Sequence, residues 1–124
     1  MARNLKDLTE ALLDAAQKAG AEAADAMAVD GTSLSINVRQ GALEQAERSE
    51  GVDIGLRVLI GRRQACVSAS DTRPETLTTM AERAVTMARL APEDPTAGLA
   101  DPSQITTDTD ASALDLCDPS EEPS

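Results

Sequence analysis

The sequence contains no phenylalanine, tyrosine, tryptophan or histidine. Without aromatic rings, any core must be built from Leu, Val, Ile, Met and Ala, and it buries less area per side chain than usual. The same absence argues against binding single-stranded nucleic acid, which needs rings on which bases can stack. Without histidine, the chain cannot assemble a His-ligated zinc site or a Ser/His or Cys/His catalytic pair. Cysteine is scarce: Cys66 and Cys117 are neither a disulfide framework nor spaced like metal ligands. No apolar run approaches membrane-spanning length, and Met1-Ala2-Arg3-Asn4 leads into an amphipathic pattern rather than a signal peptide. A soluble cytoplasmic protein with reduced thiols is the expectation.

Positive charge is unevenly missing. The 124 residues carry 11 bases and 22 acids, a net charge of −11. Residues 91–124 hold nine of the acids, from Glu93 to Glu122, and no base, leaving 13 acids against 11 bases before them. So acidic a chain is a poor ligand for a phosphate backbone, and no direct nucleic-acid contact is expected.

What is present is a regular pattern between residues 31 and 70. Gly31, Gly41, Gly51 and Gly61 stand ten residues apart, and Asp30-Gly31 is a strong short hairpin signal. Leu34, Ile36 and Val38 alternate with Ser33, Ser35, Asn37 and Arg39, while Val52, Ile54, Leu56, Val58 and Ile60 repeat the period of two. Such alternation predicts antiparallel strands with one face on a core and one in water. Residues 22–29 and 42–50 also read as strands, the second against its local helical propensity. Ala65, Val67 and Ala69 oppose Gln64, Cys66, Ser68 and Ser70 in the last strand. The expected fold is α+β: a mostly antiparallel five-stranded meander sheet over about residues 22–70, flanked by an N-terminal and a C-terminal helix.

The first helix is expected from Leu5 to Ala19, capped by Asn4 and closed by Gly20, with Leu5, Leu8, Leu12, Ala16 and Ala19 on one face. The second begins at Pro74 and runs to about Leu90, presenting Leu77, Met80, Ala81, Ala84 and Ala88; Pro92 forbids its continuation. Residues 5–91 then form an α+β domain, and residues 92–124 an acidic Pro/Asp/Ser/Thr-rich linker or tail. The chain stops at DPSEEPS without a closing element, which reads as a break ahead of a C-terminal domain.

The run VRQGALEQAERSEGVDIGLRVLIGRRQACVSASD, followed by MARLAPEDPTAGLADP, resembles the N-terminal region of the TldD/PmbA metalloprotease family. The second run is closer to the PmbA (TldE) branch. The resemblance covers about residues 5–119. It implies an N-terminal domain preceding a larger β-rich one, and a TldD-like partner subunit that carries the zinc motif H-E-x-x-x-H. It also implies a peptide substrate, in proteolysis and peptide maturation. Zinc is thus implied for the partner subunit only; no cofactor, catalytic residue or metal ligand is expected in this chain. Arg73 stands where many relatives carry a better helix cap.

Three arginines, Arg57, Arg62 and Arg63, gather around Gly61 and are the candidate interaction residues, with a solvated hairpin end as the plainer alternative. Glu44, Glu47 and Glu50 could suggest acid/base chemistry, but they suit a polar edge strand that discourages unwanted pairing. The glycines form no phosphate loop, because GxxxxGK[ST] is absent. Two functional readings follow. One is a noncatalytic N-terminal domain of a PmbA-like protease subunit, contributing to assembly, oligomer formation and the substrate chamber. The other is a self-standing acidic binding or regulatory protein acting on a basic partner.

Overall fold

The computed structural model describes residues 4–121. Met1–Arg3, where the absence of a signal peptide is read, and Glu122 of the acidic segment lie outside the described residues. Helix α1 spans Leu5–Ala19, strands β1, β2 and β3 span Ala23–Arg39, Ala42–Ile60 and Arg63–Ala69, and helix α2 spans Pro74–Leu90. The Asn4 side chain accepts a hydrogen bond from the Lys6 amide, and Gly20 closes α1 with a φ of 108°. Arg73 contributes no side-chain cap to α2. Asp71 braces the segment ahead of α2: its carboxylate accepts from the Arg73 amide, the Arg73 guanidinium and the Thr76 hydroxyl.

The sheet has three strands in the order β1-β2-β3, antiparallel throughout, so the expected five-stranded meander is incorrect. The α+β class and the two flanking helices fit. The error lies at Gly31 and Gly51, where turns are expected. Instead, each sits inside a long strand, and the two face each other across the β1–β2 ladder. A two-residue I′ turn needs positive φ at both central positions. Gln40 and Gly41 supply it, with φ of 53° and 76°. Gly61, at 58°, opens the second turn, and its amide donates to Glu22 Oε2 at 2.7 Å. Residues 23–29 and 42–50 are extended as the sequence suggests, but as parts of longer strands, and Glu22 forms a bend ahead of β1.

Both helices pack on one face of the sheet, α1 over β1 and α2 over β2 and β3. Leu8, Leu12 and Ala16 from α1 meet Ile54, Leu56 and Val58 from β2, and Leu77, Met80, Ala81, Ala84, Val85 and Ala88 from α2 complete the core. With no ring to bury, the layers meet through small side chains. Ala16, Ala81, Ala84 and Ala88 are all fully buried.

Helix and strand lengths then set the outline. A helix advances about 1.5 Å per residue, so the 15 residues of α1 cover about 22 Å. A strand advances about 3.4 Å, so the 19 residues of β2 extend roughly 65 Å. Neither helix can cover that length. Strand β3 ends at Ala69, opposite Ile54, and residues 29–51 are exposed without exception. Beyond the helix-backed base, β1 and β2 therefore continue as a two-stranded arm.

Two consequences are measurable by thermal or urea unfolding. Leu12→Ala, at a fully buried position, is expected to cost about 2–4 kcal/mol, whereas Leu43→Ala on the arm should stay within about 0.5 kcal/mol. Asp71 is held well below the usual carboxylate range, chiefly by its hydrogen bond from Arg73. A lowered folded pKa stabilises fully above the unfolded value of about 3.9, and that contribution fades as pH falls through the folded pKa. The Tm gap between the wild type and Asp71→Asn should accordingly be largest near pH 7 and shrink below about pH 4.

Candidate functional site

The three arginines singled out around Gly61 occupy different settings. Arg57 lies on the outer, helix-free face of the sheet and grips Asp25 across the β1–β2 ladder, with contacts of 2.6 and 3.0 Å. That carboxylate raises the guanidinium pKa above its ordinary value. Arg62 Nη1 donates to the Pro95 carbonyl at 2.7 Å, and the Asp94 amide donates to the Arg62 carbonyl at 2.8 Å. Arg63 Nη1 donates to the Arg89 carbonyl at 2.9 Å, satisfying a carbonyl near the C-terminal end of α2. Arg62 and Arg63 thus bind the β2–β3 turn to the chain that follows it, while Arg57 is held along the outer face by Asp25 and by Gln64, whose Oε1 accepts from Arg57 Nη1 at 3.4 Å.

Glu44, Glu47 and Glu50 are all on the arm and exposed. Glu44 pairs with Arg39 at 3.5 Å, and Glu50 with Arg48 at 2.9 Å. No cleft encloses these carboxylates, so nothing there tunes an acid or a base. Cys66, on the outer face of β3, and Cys117, in the tail, are free and exposed. Among the described residues, no group of three or more His, Cys, Asp and Glu side chains could hold a metal ion.

Around Gly55 the outer face dips into an open hollow of about 390 Å³, lined by Met27, Arg57, Cys66 and Ser68 among others. The missing side chain of Gly55 opens its floor. The arm is the larger exposed feature. Cross-strand partners share a face. The register therefore places Leu34 with Arg48, Ile36 with Ala46 and Val38 with Leu43 on the face that, nearer the base, is covered by helices. A bulge leaves Glu44 without a partner and brings Leu43 onto this face. Leu34, Ile36, Val38 and Leu43 are 41, 46, 63 and 66% exposed. Sequence alternation identifies this row but assigns it to a core. The signal that separates an arm from a core is the helix length.

After α2, the clasp on Asp94 and Pro95 holds the chain against the β2–β3 turn. From Leu99 to Glu121 every residue is exposed, and the hydrogen bonds are local, as in the Asp101-Ser103 and Asp118-Ser120 turns. No helix among the described residues is long and apolar enough to cross a membrane.

A family model described as PmbA/TldA metallopeptidase domain 1 matches residues 24–88. The chain is 31% identical over 90 residues to the metalloprotease PmbA of Escherichia coli O157:H7, an alignment that spans 73% of this chain and 20% of that protein. In fold it is similar to the crystal structure of a proposed modulator of DNA gyrase from Bacteroides thetaiotaomicron VPI-5482. The TM-score is 0.75 at 21% identity, over 85% of this chain and 24% of that one. The chain thus spans between a fifth and a quarter of the length of these relatives.

The clasp makes a proteolytic prediction. A nonspecific protease should trim the acidic segment back to residues 98–105 and stop there. Arg62→Ala should speed cleavage within residues 92–97 about fivefold, the equivalent of one net hydrogen bond, as read by mass spectrometry of the products.

Proposed function

The chain belongs to the PmbA/TldA metallopeptidase family, and on that premise we propose that it is the noncatalytic N-terminal domain of a PmbA-like subunit. The observation that carries the reading is a family match over residues 24–88 in a chain without a single histidine. A hydrolytic zinc needs three positioned protein ligands and an open place for water. Two exposed cysteines far apart in sequence and scattered surface carboxylates do not make such a set. The domain acts in the cytoplasm, in proteolysis and peptide maturation. It contributes binding surface to an assembly whose zinc-bearing subunit is TldD-like. The arm and the outer face around Arg57 are the surfaces it offers to that subunit and to the substrate chamber.

A second reading is favoured by the acidic segment. Residues 91–124 carry nine acids and no base, and Leu99–Glu121 is exposed throughout, which suits a regulator that engages a basic partner. Deleting residues 99–124 separates the two: a regulator loses its partner, whereas the subunit keeps its docking surface.

Purified chain incubated with zinc and an unstructured peptide should show no cleavage sensitive to a chelator. Cleavage should appear only when a subunit bearing H-E-x-x-x-H is added. Chelator-sensitive cleavage by this chain alone, or stoichiometric zinc retained after dialysis, would overturn the proposal.

A further inference from the structure

Strand β3 is an end strand of the sheet, and its outer edge carries no partner strand among the described residues. Its seven residues contain no proline, no lysine and no bulge, the usual devices that blunt an edge. Helix α2 overhangs that edge. Pro74, Thr78 and Glu82 border a hollow shared with α1, so the opposite flank of α2 lies on the β3 side and carries Thr76, Met80, Arg83 and Met87. Met87 is 44% exposed, and Arg83 is exposed with no ion pair among the described residues. Below them, Ala65, Val67 and Ala69 are only half-buried. The ledge is apolar and carries an unpaired cation.

The acidic segment contains a stretch of matching pattern, Leu114-Asp115-Leu116-Cys117-Asp118. With a period of two, Leu114, Leu116 and Asp118 share one side and Asp115 and Cys117 the other. The two leucines are 66 and 78% exposed. Asp115 holds a φ of 50°, which pairing as a strand would relieve. We propose that this stretch is a strap that closes on the edge of β3 in its own chain, antiparallel to it, with Cys117 opposite Cys66. The inference rests on the edge and the strap, not on the peptidase reading.

In this register Leu116 lies opposite Val67, Leu114 opposite Ala69, Asp118 opposite Ala65 and Asp115 opposite Ser68. Cross-strand partners share a face, so Leu114 and Leu116 enter the ledge beside Thr76 and Met80. Strand β3 and α2 run in opposite directions, and Arg63 meets Arg89 at their common end. Ala65 is then level with Arg83 and Met87, and Asp118 arrives beneath the unpaired guanidinium. Asp115 and Cys117 fall on the outer face with Ser68 and Cys66. Pro119 follows and ends the pairing, because it has no amide to donate. Sliding the strap two residues toward the β2–β3 turn sets Asp118 against Arg63, which already donates to the Arg89 carbonyl, and leaves Ala69 bare. Sliding it by one turns both leucines to the outer face.

The Arg62 clasp gives the strap its anchor, holding Pro95 at the β2–β3 turn, where β3 begins. Strand β3 extends about 24 Å, and residues 96–113 span up to about 60 Å when extended. The chain can therefore climb past Ala69 and return along the edge. With the anchor so near, closing is an intramolecular event at an effective concentration on the order of millimolar. In the structure the strap is open. Closed, it hides the β3 edge from any other strand that would add there.

The test oxidises the 124-residue chain with glutathione disulfide. The two thiols give up two electrons and two protons, and the oxidant leaves as two molecules of glutathione. A Cys66–Cys117 disulfide within one chain is expected, because facing Cα atoms at about 5 Å suit the bond. Peptide mapping and electrophoresis without reductant identify it. Its effective molarity against glutathione should fall at least about tenfold in Leu114→Ser/Leu116→Ser, which keeps both thiols and the linker length. Arg83→Glu should lower it too, and adding Asp118→Arg to that variant should restore it. Cys117→Ser/Asp118→Cys moves the thiol to the inner face and should also cost at least about tenfold, whereas an undocked tail would react equally from either position. Far-UV circular dichroism confirms that the variants fold. No disulfide, a disulfide only between chains, or an effective molarity indifferent to the leucines, to Arg83 or to the move from 117 to 118 would each overturn the inference.

Discussion

Strands advance more than twice as far per residue as helices, and the two long strands of this chain match or exceed its helices in residue number. Two helices of 15 and 17 residues are paired with strands of 17 and 19. The helices bury the base of the sheet and must leave its far half uncovered. The core is small for that reason as much as for the lack of aromatic residues, and the arm is what remains. Its apolar row is the continuation of the core face past the point where cover ends. An exposed row of Leu34, Ile36, Val38 and Leu43 is therefore a consequence of length.

Much of the base was legible from residues alone. Asn4 and Gly20 bound α1 where their capping chemistry says they should, and Pro74 opens α2. Ala65, Val67 and Ala69 pack against the core as their alternation implies. The strand count was not legible, because glycine is permissive rather than directive. Gly31 and Gly51 have strand geometry, and their twenty-residue separation reflects their placement opposite one another across the Gln40-Gly41 turn. The true turn uses Gln40, a residue that seldom takes positive φ, so Gln40-Gly41 is a weaker signal than Asp30-Gly31. The roles of Arg62 and Arg63 were equally hidden. Their partners are the carbonyls of Pro95 and Arg89, more than twenty residues away, and no local pattern records them.

The division between base and arm also orders the functional readings. The family match at residues 24–88 takes in the whole arm as well as the buried strand segment and most of α2, and leaves out α1. The surface features divide between the two: Arg57 with Asp25 on the outer face of the base, the edge of β1 along base and arm, and the acidic segment beyond the Arg62 clasp. All three are surface features of the kind that the proposed noncatalytic role requires.

The central claim is that residues 23–39 and 42–60 form one uninterrupted ladder in which Gly31 and Gly51 are partners. Cross-strand nuclear Overhauser contacts in the labelled chain test it directly. The account predicts contacts linking Gly31 with Gly51, Ser33 with Ser49 and Ser35 with Glu47, and a turn signature at Gln40-Gly41. Contacts linking Val29 with Thr32 and Ser49 with Val52, as turns at Gly31 and Gly51 would produce, would contradict it.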